Sequence, residues 1–386
     1  MRAATPPILR LGFRTFFTLA LLWALFVVPA WDLYLRGRAA GLPAQGVPDF
    51  LWHGHEMVFG YAMAVVTGFL LTAVRNWTGV MTLHGLPLAG LAGLWLLARA
   101  GMADALLPPA WTAGVEAAFL AGAAAAFTWP VLRVRQARQT GLVFKMWLML
   151  PADLLFHLGR LEDDVAWMRM GVLSGLYLVL AILFVMARRV VPYFIERGVP
   201  GAAGRIRNRR WVDLANLWLF LAFAVEAVFL HQPWVRLSLA LVLFALNALR
   251  LFDWHHPGLW KKPLLWGLYV GYAWLTGAFL LMAAAAHREV PAPLALHAFA
   301  YGGIGTMTLA MMARVSLGHT GRDVHAPPRE VGPLLALFTL GGLVRVVLPG
   351  ILPSSTYPVL LDIAAGLWTL TFLGLAWRYL PMLARN

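Results

Sequence analysis

Long apolar runs alternate with short polar breaks from one end of the chain to the other. Twelve runs stand out, at 14–34, 52–74, 85–100, 110–132, 142–159, 168–187, 211–230, 234–252, 263–286, 292–315, 331–350 and 356–378. A bilayer core about 30 Å thick needs roughly 20 apolar residues per helical crossing. The third run is short, so eleven crossings is the other count. Lipid offers the backbone no water to bond, so each run is expected to satisfy its own amides as a helix. The pattern predicts an all-α, polytopic transmembrane helix bundle of about 12 helices, with N- and C-termini cytoplasmic. The whole of 1–386 reads as a single integral membrane domain. "MAR" recurs at 186–188 and 312–314, closing runs six and ten, and hints at three four-helix units.

Composition agrees with the pattern. Hydrophobic residues make up 61% of the chain and charged residues 12%, where a soluble domain has about 25% charged residues. The net charge of +14 invites a nucleic-acid reading, but its distribution argues against one. With the N-terminus inside, most Lys and Arg fall on the cytoplasmic side. The densest run, 188–210, holds seven arginines and reads as a topology anchor that meets anionic lipid headgroups. The predicted partner is membrane lipid, with no nucleic acid. There is no cysteine, which excludes disulfides, Fe–S clusters, covalently attached haem and thiolate zinc.

Against this background the polar residues inside the runs are the informative ones. The 11 histidines sort by membrane side. His53, His55, His157, His231, His287 and His297 fall toward the outer ends of the predicted helices. His84, His255, His256, His319 and His325 fall toward the cytoplasm. The intramembrane acids Glu56, Glu116, Asp153, Glu226 and Asp362 favour the outer half, with Arg345 at similar depth. Ionisable groups are costly in a bilayer and line a site or pair with one another, so the outer, periplasmic half is the expected place for chemistry.

Local spacing suggests partners. Asp153 and His157 share a helix face at i, i+4, where the carboxylate could orient the imidazole. Glu226 and His231 are a looser match, and Arg345 and Asp362 could neutralise each other. His53 and His55 point about 200° apart on a regular helix, so they serve one metal only if the helix begins between them.

An offset of 242 residues lays 50–79 on the segment ending at Arg322. His55 then falls on His297, Gly60 on Gly302, Thr78 on Thr320 and Gly79 on Gly321. Gly60, Gly302, Gly303 and Gly305 lie just below the paired histidines. Small residues there allow close helix packing or leave room for a flat macrocycle. Imidazole suits haem iron and copper alike. His319 lies about 33 Å from His297 along a helix and belongs to a separate polar cluster suited to an anionic group, or to plain loop chemistry.

Four segments carry a resemblance. "GFRTFF" at 12–17, "WHGHEMVFG" at 52–60, "GFLLTAVRNWTG" at 68–79 and "GTMTLAMMARVSLGHTGR" at 305–322 resemble the NnrS family. The resemblance implies a bacterial cell inner-membrane protein, multi-pass, of about twelve helices. It implies association with haem and copper and with the nitric oxide response, in denitrification and under nitrosative stress. It makes His53, His55, His297 and His319 leading metal ligands. Arg14, Glu56, Arg75, Asn76, Trp77, Arg314 and Arg322 fall in the motifs without an assigned role.

The resulting expectation is haem b held by His55 and His297. His53, His231, His157 or His319 would hold a further metal such as copper, supported by Asp153 and Glu226. Nitric oxide or a related small ligand is the expected partner. Three alternatives stay open, namely a transporter of a metal, haem or small anion, a haem–copper-type NO-consuming oxidoreductase, and an assembly role. The sequence assigns no catalytic residue and no electron donor.

Overall fold

A computed structural model describes residues 5–37, 44–103, 106–287 and 289–385. The chain is all-helical. Its twelve main helices are α1 (Gly12–Leu35), α2 (Asp49–Thr78), α3 (Leu86–Met102), α4 (Pro109–Arg133), α5 (Thr140–Leu161), α6 (Val165–Gly198), α7 (Arg210–Leu230), α8 (Pro233–Trp254), α9 (Pro263–Ala286), α10 (Ala292–His319), α11 (Val331–Val346) and α12 (Tyr357–Ala384). Eleven of these are long and apolar enough to cross a membrane; α3 is the short one. Its 17 residues span about 25 Å at 1.5 Å per residue, just under the apolar thickness of a bilayer.

Contacts group the chain into two compact units. The first holds 1–179 and 375–386, the second 180–374. Each unit has one helix enclosed by the others. In the most apolar stretch of α2, 89% of residues are buried, and in that of α10, 78%. The remaining crossings expose more of their length to the surroundings. An enclosed helix can carry polar groups only where neighbouring helices meet them.

Both enclosed helices depart from regular α geometry at the same relative place. Wider π-helical turns run from Glu56 to Ala62 in α2 and from Ala298 to Gly305 in α10. A π turn inserts a residue and shifts the local carbonyl ladder, and such turns recur at functional sites. Side chains take up two of the carbonyls in α2. The Trp23 indole donates to the Glu56 carbonyl (3.4 Å) and the Trp95 indole to the Gly60 carbonyl (3.1 Å).

The motif at 12–17 packs α1 on α2. A Cβ on Gly12 would stand 2.8 Å from that of Leu71, and the Phe13 amide donates to the Thr72 hydroxyl (3.0 Å). Arg14 is buried and donates to the carbonyls of Leu383 (2.8 Å) and Arg385 (2.7 Å), capping the end of α12.

Candidate metal centre

The start of α2, the end of α3, the start of α4 and the end of α5 bring six ionisable side chains together in the first unit. His55 lies within the first turns of α2, followed by Glu56 where the π turns begin. Arg99 stands in the last turn of α3. Glu116 comes from the early turns of α4, and Asp153 and His157 from one face of α5. Alternating chain direction places all of these at one end of the helices, as the sequence expected for His55, Glu56, Glu116, Asp153 and His157.

All six are removed from solvent. His55, Glu56, Glu116 and Asp153 are 0% exposed, His157 1% and Arg99 3%. His55 is the hub. Its Nδ1 faces Glu56 Oε1 at 3.0 Å and its Nε2 faces Asp153 Oδ1 at 3.1 Å, with Glu116 Oε2 at 3.7 Å. His157 Nε2 faces Glu116 Oε2 at 3.3 Å and Asp153 Oδ1 at 3.7 Å. Arg99 bridges two acids, one guanidinium nitrogen on Glu56 and the other on Glu116.

The spacing expectation for Asp153 and His157 therefore holds only in part. They share a face, but each has a nearer partner from another helix.

Charge bears directly on the chemistry. Glu56 and Glu116 touch the Arg99 guanidinium and Asp153 does not. These six groups therefore carry an excess of two negative charges when the acids are ionised and the imidazoles neutral, an excess that buried Arg160 nearby offsets only in part. Such an excess in an apolar interior is unstable unless protons or a cation offset it. One ligand atom from each of His55, Glu116, Asp153 and His157 lies within 4.8 Å of all the others. Four ligands at about 2.0–2.2 Å from one ion lie at most about 4.4 Å apart, so a small inward shift closes the set. Glu56 Oε2, Asp153 Oδ2 and His157 Nδ1 are buried and have no hydrogen-bond partner among the described residues. Two imidazoles and two carboxylates, with no thiolate, suit a divalent transition metal.

Haem does not fit around His55. Both ring nitrogens of His55 face carboxylates, and the ring lies against Phe156 at 4.2 Å and Phe59 at 5.0 Å. A porphyrin plane at either nitrogen would displace Glu56 or Asp153. The glycines leave no slot either. A Cβ on Gly60 would stand 2.7 Å from Trp23 Nε1, and one on Gly302 2.4 Å from the Trp274 ring. One on Gly303 would meet Leu275 and one on Gly305 would meet Phe338. Close helix packing is the reading these glycines support. The site around His55 fits a bare ion.

The other candidates lie elsewhere. His53 is half-buried and stacks on Trp31 at 5.0 Å. His297 belongs to the second unit. Its Nδ1 donates to the Pro293 carbonyl (2.7 Å), which leaves Nε2 to accept from Arg345 Nη2 (3.2 Å). Arg345 thus reaches His297, with the Tyr357 ring at 5.8 Å.

Glu226 is also paired differently from expectation. It takes Arg236 (2.9 and 3.2 Å) and the Gln232 amide (2.6 Å). Exposed His231 gives Glu226 only its backbone amide, from a left-handed conformation at φ 55° that ends the helix. His319 closes α10, half-buried. Arg322 is exposed and touches the Thr320 carbonyl (3.4 Å). Arg75, Asn76 and Trp77 close α2, where the Arg75 carbonyl accepts from Gly79 (2.8 Å) and the Trp77 carbonyl from Gln136 (3.0 Å). Arg75 and His319 stand in different units.

Arg99 is the residue that the sequence reading passed over. The available signal was the count of buried acids, which calls for a cation at the same depth. Glu116 was seen as an intramembrane acid but not joined to His55.

A polytopic helical membrane protein with a buried imidazole–carboxylate cluster is the class that fold and site define. The family model described as NnrS protein matches residues 7–386, and the chain belongs to the NnrS family. No curated protein matches the chain.

Proposed function

We propose that this chain is a metalloprotein of the bacterial inner membrane, acting in the response to nitric oxide. His55, Glu116, Asp153 and His157 would hold one divalent transition-metal ion, copper(II) being the ion most in keeping with an N,O donor set. The observation that carries the reading is the burial of four convergent ligand groups in a cluster whose carboxylates outnumber the guanidinium they touch. Glu56, bonded to His55 Nδ1, orients the imidazole as outer carboxylates do for metal-bound histidines. Arg99 holds Glu56 and Glu116 in place and limits the total negative charge. Phe59 and Phe156 keep water from the His55 ring. The nitric oxide role follows from family resemblance, and the site's seclusion suits it, since NO is small and apolar and reaches a buried ion through lipid. With the N-terminus inside, the site would lie toward the periplasmic half.

A second reading concerns haem, which the resemblance also implies. One observation favours His297 for it. Fixing Nδ1–H on a carbonyl presents Nε2 as a ligand, and Arg345 stands beside it to pair with a carboxylate-bearing group.

Metal counting and electron paramagnetic resonance on the purified full chain test the first reading. About one copper per chain, with a spectrum altered by NO and lost in His157→Ala, is expected. A haem band with no other metal would replace the first reading by the second.

A further inference from the structure

Arg314, in the last turns of α10, is the residue of the 305–322 motif that the metal reading leaves unused. It is 9% exposed, and its guanidinium lies 3.8 Å above the centre of the Phe194 ring of α6. The ring face meets the charge from one side. It offers no acceptor to the in-plane N–H donors, of which arginine has five. No hydrogen bond or ion pair joins Arg314 to another described residue. The side chain is largely enclosed, but its nitrogens are not cut off from solvent, so its donors stay open to an acceptor from outside, and its charge is not relieved by losing a proton.

Arg314 lines a narrow, mostly apolar cleft, and the fixed charges in its lining are positive. Lys262 and His325 stand there with the first residues of α9, Pro263, Leu264 and Leu265, and no carboxylate takes part. All lie in the second unit. α9 is 24 residues long and begins with Pro263, which has no amide hydrogen. Leu265 and Trp266 both donate to the Lys262 carbonyl, while the Leu264 amide has no backbone acceptor among the described residues. The start of a helix carries about half a positive charge and free amides. An arginine with no protein acceptor and the start of a helix therefore border one cleft. It lies where α6 ends, α9 begins and α10 ends, at the level where the chain leaves the apolar crossings.

We propose that this cleft binds an oxoanion of the phosphate class. Arg314 is the anchoring cation, the Leu264 amide a second donor, Lys262 an outer charge and the His325 imidazole an outer polar group. The same chemistry is offered by free phosphate and by the phosphodiester headgroup of an anionic lipid. The inference does not rest on the metal site.

Thermal unfolding of the full chain in nanodiscs tests it. Discs of phosphatidylcholine alone would be compared with discs containing phosphatidylglycerol, each with inorganic phosphate or with chloride at equal ionic strength. Tm should rise by about 2 °C or more as the site fills, and the rise should vanish in Arg314→Gln. A rise with phosphate supports a free anion, a rise with phosphatidylglycerol supports a headgroup, and both together support the shared chemistry. Should Arg314→Gln fail to fold, the double variant Lys262→Ala/His325→Ala leaves the buried arginine in place and should weaken the response at least threefold. A wild-type Tm unmoved by either source, or moved equally in the variants, would overturn the proposal.

Discussion

His55 and His297 occupy matching places in two stretches of the same chain, yet their surroundings differ in charge. The offset of 242 residues that aligns them also aligns the π turns beginning at Glu56 and Ala298. It aligns the left-handed glycines after each helix as well, Gly79 at φ 72° and Gly321 at φ 74°. Each histidine has an arginine near it from the next helix, Arg99 in α3 and Arg345 in α11. The acids make the difference. Glu56 corresponds to Ala298 and Glu116 to Pro358. One stretch gathers three carboxylates around its histidine and becomes suited to a cation. In the other, a backbone carbonyl and an arginine take the two ring nitrogens. The matched backbone features do not decide the chemistry; the acids that neighbouring helices contribute do.

The comparison breaks most sharply in metal binding. His55→Ala and His157→Ala should each lower affinity for the ion by about 100-fold or more, since loss of an outer partner alone costs 10–100-fold. His297→Ala should leave that metal content unchanged, as read by elemental analysis of the purified protein. The two arginines should differ next. Arg99→Met strands two buried carboxylates, at a cost of about 3–5 kcal/mol, and should sharply lower the yield of folded protein. Arg345→Met removes hydrogen bonds to the half-buried His297 imidazole and to Tyr357, at about 1 kcal/mol each, and should shift Tm less than Arg99→Met.

Packing around the site gives a smaller effect. A Cβ on Gly171 of α6 would stand 2.5 Å from the Phe156 amide and 2.7 Å from the Ala152 carbonyl. Gly171→Ala must therefore push α5 outward, at about 1–3 kcal/mol, and with it Asp153 and His157. Lower metal affinity is expected to accompany the lower Tm. Gly302→Ala crowds Trp274 instead and should lower Tm without touching metal binding. The smallest effect is expected at His53→Ala, which loses a stack on Trp31 and should retain the ion. Loss of metal in His53→Ala would show that the site is larger than the four ligands named.

Much of the fold was legible because lipid leaves the backbone few choices. Apolar run length alone predicts twelve helices and the short third one, and both appear. The matched histidines and glycines at 242 residues were also visible, and the backbone explains them as paired π turns and helix caps. The buried imidazole–carboxylate cluster is visible in the sequence only as a depth. Glu56, His55, Glu116, Asp153 and His157 could be placed in one half of the membrane, but spacing along one helix cannot show which acid from α4 or α5 turns toward His55. Arg99 escaped because an arginine at a helix end ordinarily extends to the headgroups. Glu226 was joined to His231 by proximity in sequence, where the helix end instead turns Arg236 back onto it. The glycines were read as room for a macrocycle because sequence does not show that Trp23 and Trp274 fill the space.

X-ray absorption at the metal edge, on full-length protein purified from membranes, tests the central claim most directly. The account predicts one transition-metal ion with a light-atom shell of N and O at about 2.0–2.2 Å, including the signature of two imidazoles, and loss of that signal in His55→Ala. A four-nitrogen porphyrin shell, or no metal edge above background in protein that is fully folded, would contradict it. In the second case protons would be what offsets the charge of Glu56, Glu116 and Asp153.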